Sequence, residues 1–359
     1  MSANARLEKL TASVRAAGRL TAEDALFLAE NAPLSLLGSL AHGVRARLHP
    51  EPVVTYVVDR NINSTNICSC GCRFCAFFKT PGQPGGYVLS REELGQKIEE
   101  TLALGGRQIL LQGGHNPEMG VEYYEALLTF VRERYPEIHM HAFSPPEIVY
   151  FAKLAGLTVA QVIARLKAAG LASIPGGGAE ILSDRVRGLV AKAKCSTAEW
   201  LGVMREAHKQ GLRTTATMMF GHVETWEERI GHFTALRDLQ DETHGFTAFI
   251  PWGFQPDNTA LGGVKCSPQE YLLVLAIARL TLDNFPNLQA SWVTMGSQIA
   301  QASLYYGAND FGSTMIEENV VAAAGVRFCM DEPGVRRSIE DAGFIPRRRA
   351  MDYTLRESR

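Results

Sequence analysis

Four of the chain's seven cysteines lie within eight residues, in the stretch NSTNICSCGCRFCAFFK at positions 63–79. They are Cys68, Cys70, Cys72 and Cys75, whereas the other three cysteines stand alone in the sequence. Thiolates are nucleophiles and ligands of soft metals. Such a concentration of thiols predicts a metal centre or redox chemistry in this segment.

Two interpretations of this spacing are disfavoured. Cys72 and Cys75 form a C-x2-C pair, which suits zinc or a thioredoxin-like dithiol. A structural zinc site needs a second such pair or two histidines, and Cys195, Cys266 and Cys329 are isolated. A disulfide is less expected still, because thiols stay reduced in the cytoplasm.

The third interpretation uses Cys68, Cys72 and Cys75 in the pattern C-x3-C-x2-C, on the loop after the first predicted strand. Three thiolates on a tight loop can hold three irons of a 4Fe-4S cluster and leave the fourth iron without a protein ligand. An open metal position is where a substrate can coordinate. Cys70 falls outside this spacing and is expected to be a spectator thiol.

The elements that must position these thiols alternate regularly from residue 51 onward. Short apolar or β-branched runs predict eight strands, each followed by helical text. The predicted strands lie at residues 53–58, 107–114, 138–144, 171–178, 214–222, 245–252, 288–293 and 309–315. Such alternation requires a parallel sheet, because each crossover helix returns the chain to the same end of the sheet.

This alternation predicts an α/β fold, a (β/α)8 TIM-type barrel, with an open doubly wound sheet as the alternative. Residues 1–50 read as an N-terminal helical extension, with helix caps at Thr21 and a stop at Pro50. Residues 51–320 form the barrel, and residues 321–359 a C-terminal segment packing on it. In such a barrel the chemistry lies at the carboxyl ends of the strands.

The composition indicates the compartment and excludes some partners. A formal net charge of −2 over 359 residues gives no reason to expect nucleic acid or an anionic membrane surface as a partner. No run of eighteen apolar residues is present, and the N-terminus lacks the apolar core of a signal peptide. The expected location is the cytoplasm.

The cysteine pattern, with Phe74 just before the last ligand, resembles the radical S-adenosylmethionine superfamily. The resemblance implies a 4Fe-4S cluster held by Cys68, Cys72 and Cys75, with S-adenosylmethionine chelating the fourth iron through its amino and carboxylate groups. One electron then cleaves that cofactor to a 5′-deoxyadenosyl radical. An electron donor such as a flavodoxin or ferredoxin is implied as a partner.

Motifs spread from about residue 50 to 350 look like one branch of that superfamily, the cyclic dehypoxanthinyl futalosine synthases of menaquinone biosynthesis. They include LQGGHNPEMG, HAFSPPE, IPGGGAE, IPWGFQP and NDFGSTMIEEN. Aminofutalosine synthase and the deazaflavin FO synthase subunits are close cousins, and HAFSPPE and IPWGFQP favour the cyclase over them. Another radical enzyme of this subfamily and a structural or sensing iron–sulfur or zinc protein are the alternatives. Where relatives often have tyrosine after CAF, this chain has Phe78.

The resemblance implies a small-molecule substrate, dehypoxanthine futalosine. The adenosyl radical would take a hydrogen from C4′ of its ribose, and the carbon radical would attack the benzoate ring. Restoring aromaticity then requires the loss of one electron and one proton. The protein must orient the sugar, exclude water and supply one base.

Residues that end or follow the predicted strands are the candidate cofactor contacts. By resemblance, Gln112, Gly113 and Gly114 hold the methionine amine, although a plain strand-to-helix turn explains the glycines too. Further candidate contacts are Ser144 for the ribose or carboxylate of the cofactor, Glu180 for a hydroxyl or amine, and Arg185 for a carboxylate.

Three residues are candidates for the base. The pattern predicts Asp310 and Glu317 at the end of the eighth strand, where unpaired carboxylates near a lumen would be costly unless used. His222 follows the fifth strand, where a neutral imidazole suits a base and a structural cap suits the pattern equally. The sequence leaves the choice among these three open.

Overall fold

The structure, a computed structural model, describes residues 2–356. Its helices are α1 (Ala3–Arg15), α2 (Ala22–Asn31), α3 (Leu34–Leu48), α4 (Arg91–Ala103), α5 (Val121–Arg134), α6 (Pro145–Ala155), α7 (Val159–Ala169), α8 (Asp184–Val190), α9 (Thr197–Lys209), α10 (Trp226–Thr243), α11 (Pro268–Thr281), α12 (Trp292–Met295), α13 (Ser297–Ser303), α14 (Val320–Ala323) and α15 (Glu332–Asp341). Its strands are β1 (Val53–Val57), β2 (Arg60–Asn63), β3 (Gln108–Gln112), β4 (His139–Ala142), β5 (Ser173–Ile174), β6 (Arg213–Phe220), β7 (Phe246–Gly253), β8 (Asn287–Leu288), β9 (Asp310–Ser313) and β10 (Ile345–Arg348).

The strands form a parallel barrel, so the predicted fold class is confirmed. Strands β2 to β8 pair in chain order, and β9 pairs with β1. The amide of Asn309 donates to the carbonyl of Leu288 at 3.0 Å, and that of Ala290 to Asp310 at 2.9 Å, which joins β8 to β9. Because β1 continues into β2 after two residues, these bonds complete the ring.

The predicted strands differ from the observed ones in extent. The first predicted strand is divided into β1 and β2. Of the predicted strand 288–293, only Leu288 is in a strand, and α12 begins at Trp292. Strand β5 is likewise only two residues long. Strand β5 stops before Pro175 and three glycines, which do not continue a regular ladder.

The C-terminal segment adds a strand that the sequence analysis did not predict. Strand β10 pairs in parallel with β1, from Val53 opposite Ile345 to Tyr56 opposite Arg348. The N-terminal part of the first predicted strand, β1, therefore pairs with β10, whereas β2, which continues it, pairs with β3. The predicted boundaries at residues 50 and 320 stay predictions, and residues 357–359 of that segment lie outside the described residues.

The N-terminal helices pack against the outside of the barrel. Helices α2 and α3 lie on α10 and α11, and Arg19 bonds the carboxylates of Asp241 and Asp283 beneath them. The predicted cap at Thr21 is confirmed, since its hydroxyl accepts from Asp24 N at 3.1 Å. This layer lies outside the ring of strands.

The hydrophobic core lies between the strands and the surrounding helices. It includes fully buried Trp200, Phe233 and Phe249, whose side chains come from both layers. Within residues 2–356 no single helix has the length and apolar content to span a membrane, and α6 and α7 meet that test only together, across a bend of 106°.

Candidate functional site

The cysteine loop lies at the carboxyl ends of β2 and β3, where the fold predicts chemistry. Backbone bonds hold it there: Cys68 N donates to Lys79 O at 2.8 Å, and Ser69 N donates to His115 O at 3.0 Å. Lys79 N returns to Asn66 O at 2.8 Å. The loop is thereby closed on itself and fixed to the turn after β3.

The thiols of this loop differ in their surroundings. Cys70 Sγ lies 3.0 Å from Nδ1 of His115, and Cys68 Sγ accepts from the amides of Cys70 and His115. The hydrogen bond from the Cys70 thiol lowers the pKa of Cys68 to about 6 and also lowers the pKa of Cys72. The same bonds raise the pKa of Cys70, and burial raises that of Cys75. Cys70 therefore retains its proton while its two neighbours favour the thiolate.

Lys194 is the residue that sequence reasoning missed. Its Nζ donates to Glu180 Oε1 at 2.9 Å and lies 5.1 Å from the centroid of the Phe74 ring. Burial disfavours its charge, but the negative charges of Glu180 and Cys72 outweigh that effect and raise the pKa of Lys194. Lys194 follows α8 and not a strand, so the strand-end rule did not indicate it. The one signal in the sequence is its position next to Cys195 in AKAKCS. A fixed cation thus stands beside the cysteine loop.

Gly113 and Gly114 allow the turn after β3 to approach the cysteine loop. A Cβ atom on Gly114 would lie 2.1 Å from the carbonyl oxygen of Ile67, and one on Gly113 would lie 2.5 Å from Ser64 Oγ. Any larger residue would displace the loop. Gln112, at the end of β3, extends its amide toward Gly177, where an added Cβ would lie 2.5 Å from Gln112 Nε2. The structure thus brings these three predicted residues to the loop.

Ser144 is the N-cap of α6, and its amide and hydroxyl both donate to the side chain of Glu147. The Glu147 carboxylate accepts from Ser144 N at 2.7 Å, from Ser144 Oγ at 2.6 Å and from Gly113 N at 2.9 Å. Burial raises the pKa of Glu147 to about 7. Glu147 therefore fastens the turn after β3 to the start of α6, and the Ser144 hydroxyl is engaged in that bond.

Glu180 has an unusual backbone and an unpaired oxygen. Its φ is +42°, a left-handed conformation that costs free energy in a residue with a side chain. The residue is buried, and its Oε2 has no hydrogen-bond partner among residues 2–356. A buried acceptor without a donor is costly, so this atom fits a ligand that brings a hydroxyl or amino group.

The placement of Arg185 corrects the expectation that it meets the cofactor's carboxylate. Its guanidinium is half-exposed and bonds the Glu228 carboxylate at 2.8 and 2.5 Å, and the Val223 carbonyl at 2.9 Å. Its charge is thus neutralised by Glu228. The cation that faces the cysteine loop is Lys194.

The placement of Asp310 is also a correction. It begins β9 and does not end it, so it lies toward the amino end of the barrel. Its carboxylate is fully buried and bonds Arg349 at 2.5 and 3.0 Å and Thr55 Oγ1 at 2.6 Å. The prediction that Asp310 ends the eighth strand is therefore wrong, and its paired carboxylate points to a structural role.

The other two candidate bases lie at the carboxyl end of the barrel, and their side chains are hydrogen-bonded to other residues. Glu317 accepts from Lys97 Nζ at 2.8 and 2.7 Å. His222 is buried, its Nε2 lies 3.0 Å from Met219 O, and its Nδ1 accepts from Val223 N at 2.8 Å. Burial lowers the pKa of His222, so the imidazole is neutral at neutral pH.

An apolar cleft of about 40 Å³ opens beside the cysteine loop. It is lined by Phe74, Cys75, Ala76, Met219, Trp252, Phe254, Gln255, Val320, Val321 and Ala324. The ring of His222 packs edge-on against Phe254, with 5.9 Å between the centroids. The loop after β9, with the short helix α14, closes one side of this cleft.

The donor set fits an iron–sulfur cluster better than a single ion. Among residues 2–356 no three histidine, cysteine, aspartate or glutamate side chains are arranged to hold one metal ion. A four-iron cluster spreads its thiolates farther apart than one ion does. Loop thiols with lowered pKa values beside Lys194, together with the unpaired Oε2 of Glu180, suit such a cluster and a cofactor that binds it.

Comparison with protein families divides the chain into two matched regions. Residues 62–236 match the radical SAM superfamily, and residues 243–359 match the family described as the CofH/MqnC C-terminal region. The first region contains the cysteine loop, Lys194 and His222. The second contains Trp252, Phe254 and the segment after β9, so both regions contribute to the site.

Curated relatives cover nearly the whole chain. The cyclic dehypoxanthine futalosine synthase of Halalkalibacterium halodurans is 47% identical over 94% of this chain and 91% of its own length. That of Streptomyces coelicolor is 42% identical over 98% and 90%. The 5-amino-6-(D-ribitylamino)uracil–L-tyrosine 4-hydroxyphenyl transferase of Archaeoglobus fulgidus is 43% identical over 84% and 88%.

Solved structures share the fold at low sequence identity. Methylornithine synthase superposes with a TM-score of 0.71 at 18% identity, covering 94% of this chain and 97% of the other. The hydrogenase maturase HydG from Carboxydothermus hydrogenoformans superposes with a TM-score of 0.77 at 16% identity, covering 98% and 81%. The barrel described above is therefore an established architecture.

Proposed function

This chain belongs to the radical SAM superfamily, and from that premise we propose that it cyclises dehypoxanthine futalosine to cyclic dehypoxanthinyl futalosine. It is an enzyme that catalyses a radical reaction, so the alternative of a purely structural or sensing protein is set aside. The observation that carries the proposal is the 47% identity to a cyclic dehypoxanthine futalosine synthase over 94% of the chain. A second synthase of that name is 42% identical over 98%.

Membership of this superfamily implies a 4Fe-4S cluster and S-adenosylmethionine. We assign the cluster to Cys68, Cys72 and Cys75, with Cys70 as a spectator that keeps its proton beside His115. Bound there, the cluster and S-adenosylmethionine supply the radical that removes hydrogen from C4′ of the substrate's ribose. The close approach of Gly114 to Ile67 fixes the loop that carries the three ligands.

Four side chains around the loop are the proposed cofactor contacts. The Oε2 atom of Glu180 accepts from a hydroxyl or amino group, which would satisfy an oxygen that now has no partner. Gln112 and the carbonyls of the following glycines accept from the methionine amine. Lys194 supplies the positive charge for a carboxylate, and the Phe74 ring packs against the adenine.

The cleft between Phe74 and Trp252 is the proposed place for the benzoate ring, because its walls are apolar and exclude water. Its volume of about 40 Å³ requires these walls to move apart when the ring binds. The base that takes the ring proton is proposed to be His222, whose ring packs on Phe254 at the edge of this cleft. Its neutral imidazole is the form that can accept a proton, once Nδ1 releases the amide of Val223. Glu317 is the second candidate, although its carboxylate is bound to Lys97.

The test is an anaerobic assay of the reconstituted protein with dehypoxanthine futalosine, reductant and S-adenosylmethionine, followed by mass analysis. The expected products are 5′-deoxyadenosine and a cyclic product that has lost two hydrogens. The Cys72→Ala protein is the control and should form neither. Consumption of S-adenosylmethionine without any change in the mass of dehypoxanthine futalosine would contradict the proposal.

A second function is favoured by the archaeal relative, which is named as a uracil–tyrosine hydroxyphenyl transferase and is 43% identical to this chain. The identities of 47% and 43% are close, so the substrates must be compared directly. The same protein is therefore assayed with 5-amino-6-(D-ribitylamino)uracil and tyrosine. Turnover of that pair, with dehypoxanthine futalosine unchanged, would establish the transferase instead.

A further inference from the structure

A cavity of about 340 Å³ lies at the amino end of the barrel, opposite to the cysteine loop. Strand β10 pairs with the edge of β1 that β3 would otherwise occupy. The barrel wall is therefore open between Val57 and Gln108, and the cavity lies in this gap. Its volume is within the range of sites for small molecules, which is about 300–1,000 Å³. It is far larger than the cleft of about 40 Å³ beside Phe74.

Positive charge dominates the wall of this cavity. Its charged and titratable lining residues are Arg107, Arg348, Arg349, Arg356, Asp352 and His139. Two of the four arginines are neutralised by residues outside the lining, since Arg348 bonds Glu332 and Arg349 bonds Asp310.

The other two arginines form no ion pair with the residues that the structure describes. Arg107 donates only to the backbone carbonyls of Leu102 and Gly106, at 3.4 and 2.7 Å. Arg356 makes no side-chain hydrogen bond or ion pair with the described residues, and Asp352 bonds Thr354. The wall of a cavity large enough for a small anion therefore carries two arginines without a carboxylate partner among the described residues, and one aspartate.

Gln108 adds an independent sign of a ligand. The side chain is 5% exposed, and its Nε2 donates to Asp59 Oδ2 at 2.6 Å. That bond fixes the amide, so Oε1 is turned away from Asp59, and this buried oxygen has no donor among residues 2–356. Gln108 lines the cavity, so a small displacement of the wall brings this acceptor to a hydroxyl or amino group of a ligand.

We propose that this cavity is a second binding site, for a small carboxylate or phosphate that also carries a hydroxyl or amino group. Arg107 and Arg356 bind the anionic group, and Gln108 Oε1 accepts from the donor of the ligand. The site lies at the opposite end of the barrel from the cysteine loop and does not depend on the proposed reaction. Loss of either would not affect the conclusion about the other.

The test is calorimetric titration of the reconstituted holoenzyme, under anaerobic conditions, with inorganic phosphate, sulfate and tartrate. Hydrogen phosphate and tartrate carry a hydroxyl donor at neutral pH, whereas sulfate does not. Phosphate or tartrate is expected to bind saturably at one site, and sulfate is expected to bind at least about tenfold more weakly. Whichever of the first two binds more tightly identifies the anionic group.

The variants Arg107→Gln and Arg356→Gln are each expected to weaken that binding by about tenfold or more, because each removes a charge-assisted bond. Arg356 is exposed, so its variant is expected to fold even if Arg107→Gln does not. Arg15→Gln, on the exposed face of α1, is the matched control and should bind as the parent does. The proposal is overturned if neither anion binds saturably, if sulfate equals phosphate, or if binding survives both cavity variants.

Discussion

The Nζ atom of Lys194 lies 2.9 Å from Oε1 of Glu180, and the two side chains are 18% and 4% exposed. This ion pair stands beside the thiols of the cysteine loop, and Phe74 packs against its cation. A buried charge is tolerated only with a partner, so each member of the pair depends on the other. The pair therefore holds one carboxylate oxygen of Glu180 in place and leaves the second without a partner.

The first prediction concerns this pair. Lys194→Met should lower the free energy of unfolding by about 3 kcal/mol, because it leaves the Glu180 carboxylate buried and unpaired. The measurement is anaerobic urea unfolding of the reconstituted protein. Lys192→Met is the matched control, since Lys192 is exposed nearby, and should change stability little.

The double variant Lys194→Met/Glu180→Gln separates the pair from the individual side chains. It should be less destabilised than the sum of the single variants, since the second change removes the uncompensated charge. Strictly additive losses would show that the two side chains do not depend on each other.

The second prediction concerns the ring of Phe74. Phe74→Ala should leave the iron content unchanged, because all three proposed ligands remain. It should weaken the binding of S-adenosylmethionine by about 1 kcal/mol or more through the loss of an aromatic contact. Equilibrium binding to the reconstituted protein measures this, and Phe74→Tyr, which keeps the ring, should bind nearly normally. An unchanged affinity in Phe74→Ala would assign the ring to the core.

The barrel was predictable because its signal is spread along the whole chain. Alternating apolar runs and amphipathic helices specify a parallel sheet whatever the details of any one strand. The position of the cysteine loop followed from the same pattern, since it succeeds the first strand. The glycines after β3 were also placed correctly, because the strand ends at Gln112.

What the sequence did not reveal depends on contacts between distant segments. Lys194 follows α8 and reaches the loop only through the tertiary fold, and Asp310 is paired with Arg349, 39 residues later. Strand β10 was missed because IPRRR is basic and lacks the alternating pattern of a buried strand. Its addition to β1 requires the gap in the barrel wall, which no local pattern records.

The third prediction concerns Cys70. Cys70→Ala should retain the iron, the cluster and the cleavage of S-adenosylmethionine, whereas Cys68→Ala, Cys72→Ala and Cys75→Ala should each lose all three. The physical reason is spacing, together with the raised pKa of Cys70, which keeps this thiol protonated beside His115 while Cys68 and Cys72 favour the thiolate. Iron content per chain is the measurement. Cys329→Ala, at an exposed cysteine, is the control.

Loss of the cluster in Cys70→Ala, with the cluster retained in Cys68→Ala, would mean that the ligand set is a different triad.

The fourth prediction concerns the base. His222→Gln should continue to cleave S-adenosylmethionine but form less cyclic product, since radical generation precedes the loss of the ring proton. Glu317→Gln should do so only if Glu317 and not His222 is the base. The measurement is the ratio of 5′-deoxyadenosine to cyclic product. A parent-like ratio and rate in both variants would place the base elsewhere.

Asp310→Asn is the contrasting variant for this experiment. It leaves Arg349 buried without a charged partner, so it should destabilise the fold by about 3 kcal/mol. Its product ratio should match that of the parent, because Asp310 begins β9 at the opposite end from the cleft. A changed ratio in a stable Asp310→Asn protein would contradict its structural role.

The last prediction concerns acid stability and His232. This imidazole is fully buried, its Nδ1 accepts from Leu182 N at 3.0 Å, and burial lowers its pKa to about 3. The unfolded side chain titrates near about 6.5, so below that pH the unfolded state binds a proton that the native state does not. The native state therefore loses stability as the pH falls from about 6.5 toward 3, by about 1.4 kcal/mol per unit from this group.

Urea unfolding of the parent and of His232→Asn between pH 7 and 5 measures this contribution. Asparagine keeps an acceptor for Leu182 N and does not titrate, so its absolute stability falls through lost packing while its dependence on pH weakens. By pH 5 the difference between the two proteins should shrink by about 2 kcal/mol relative to pH 7. Other buried histidines titrate equally in both proteins, so their contributions cancel in the difference between the two free energies of unfolding. Parallel curves over this range would show that His232 gains its proton in the folded state as easily as in the unfolded one.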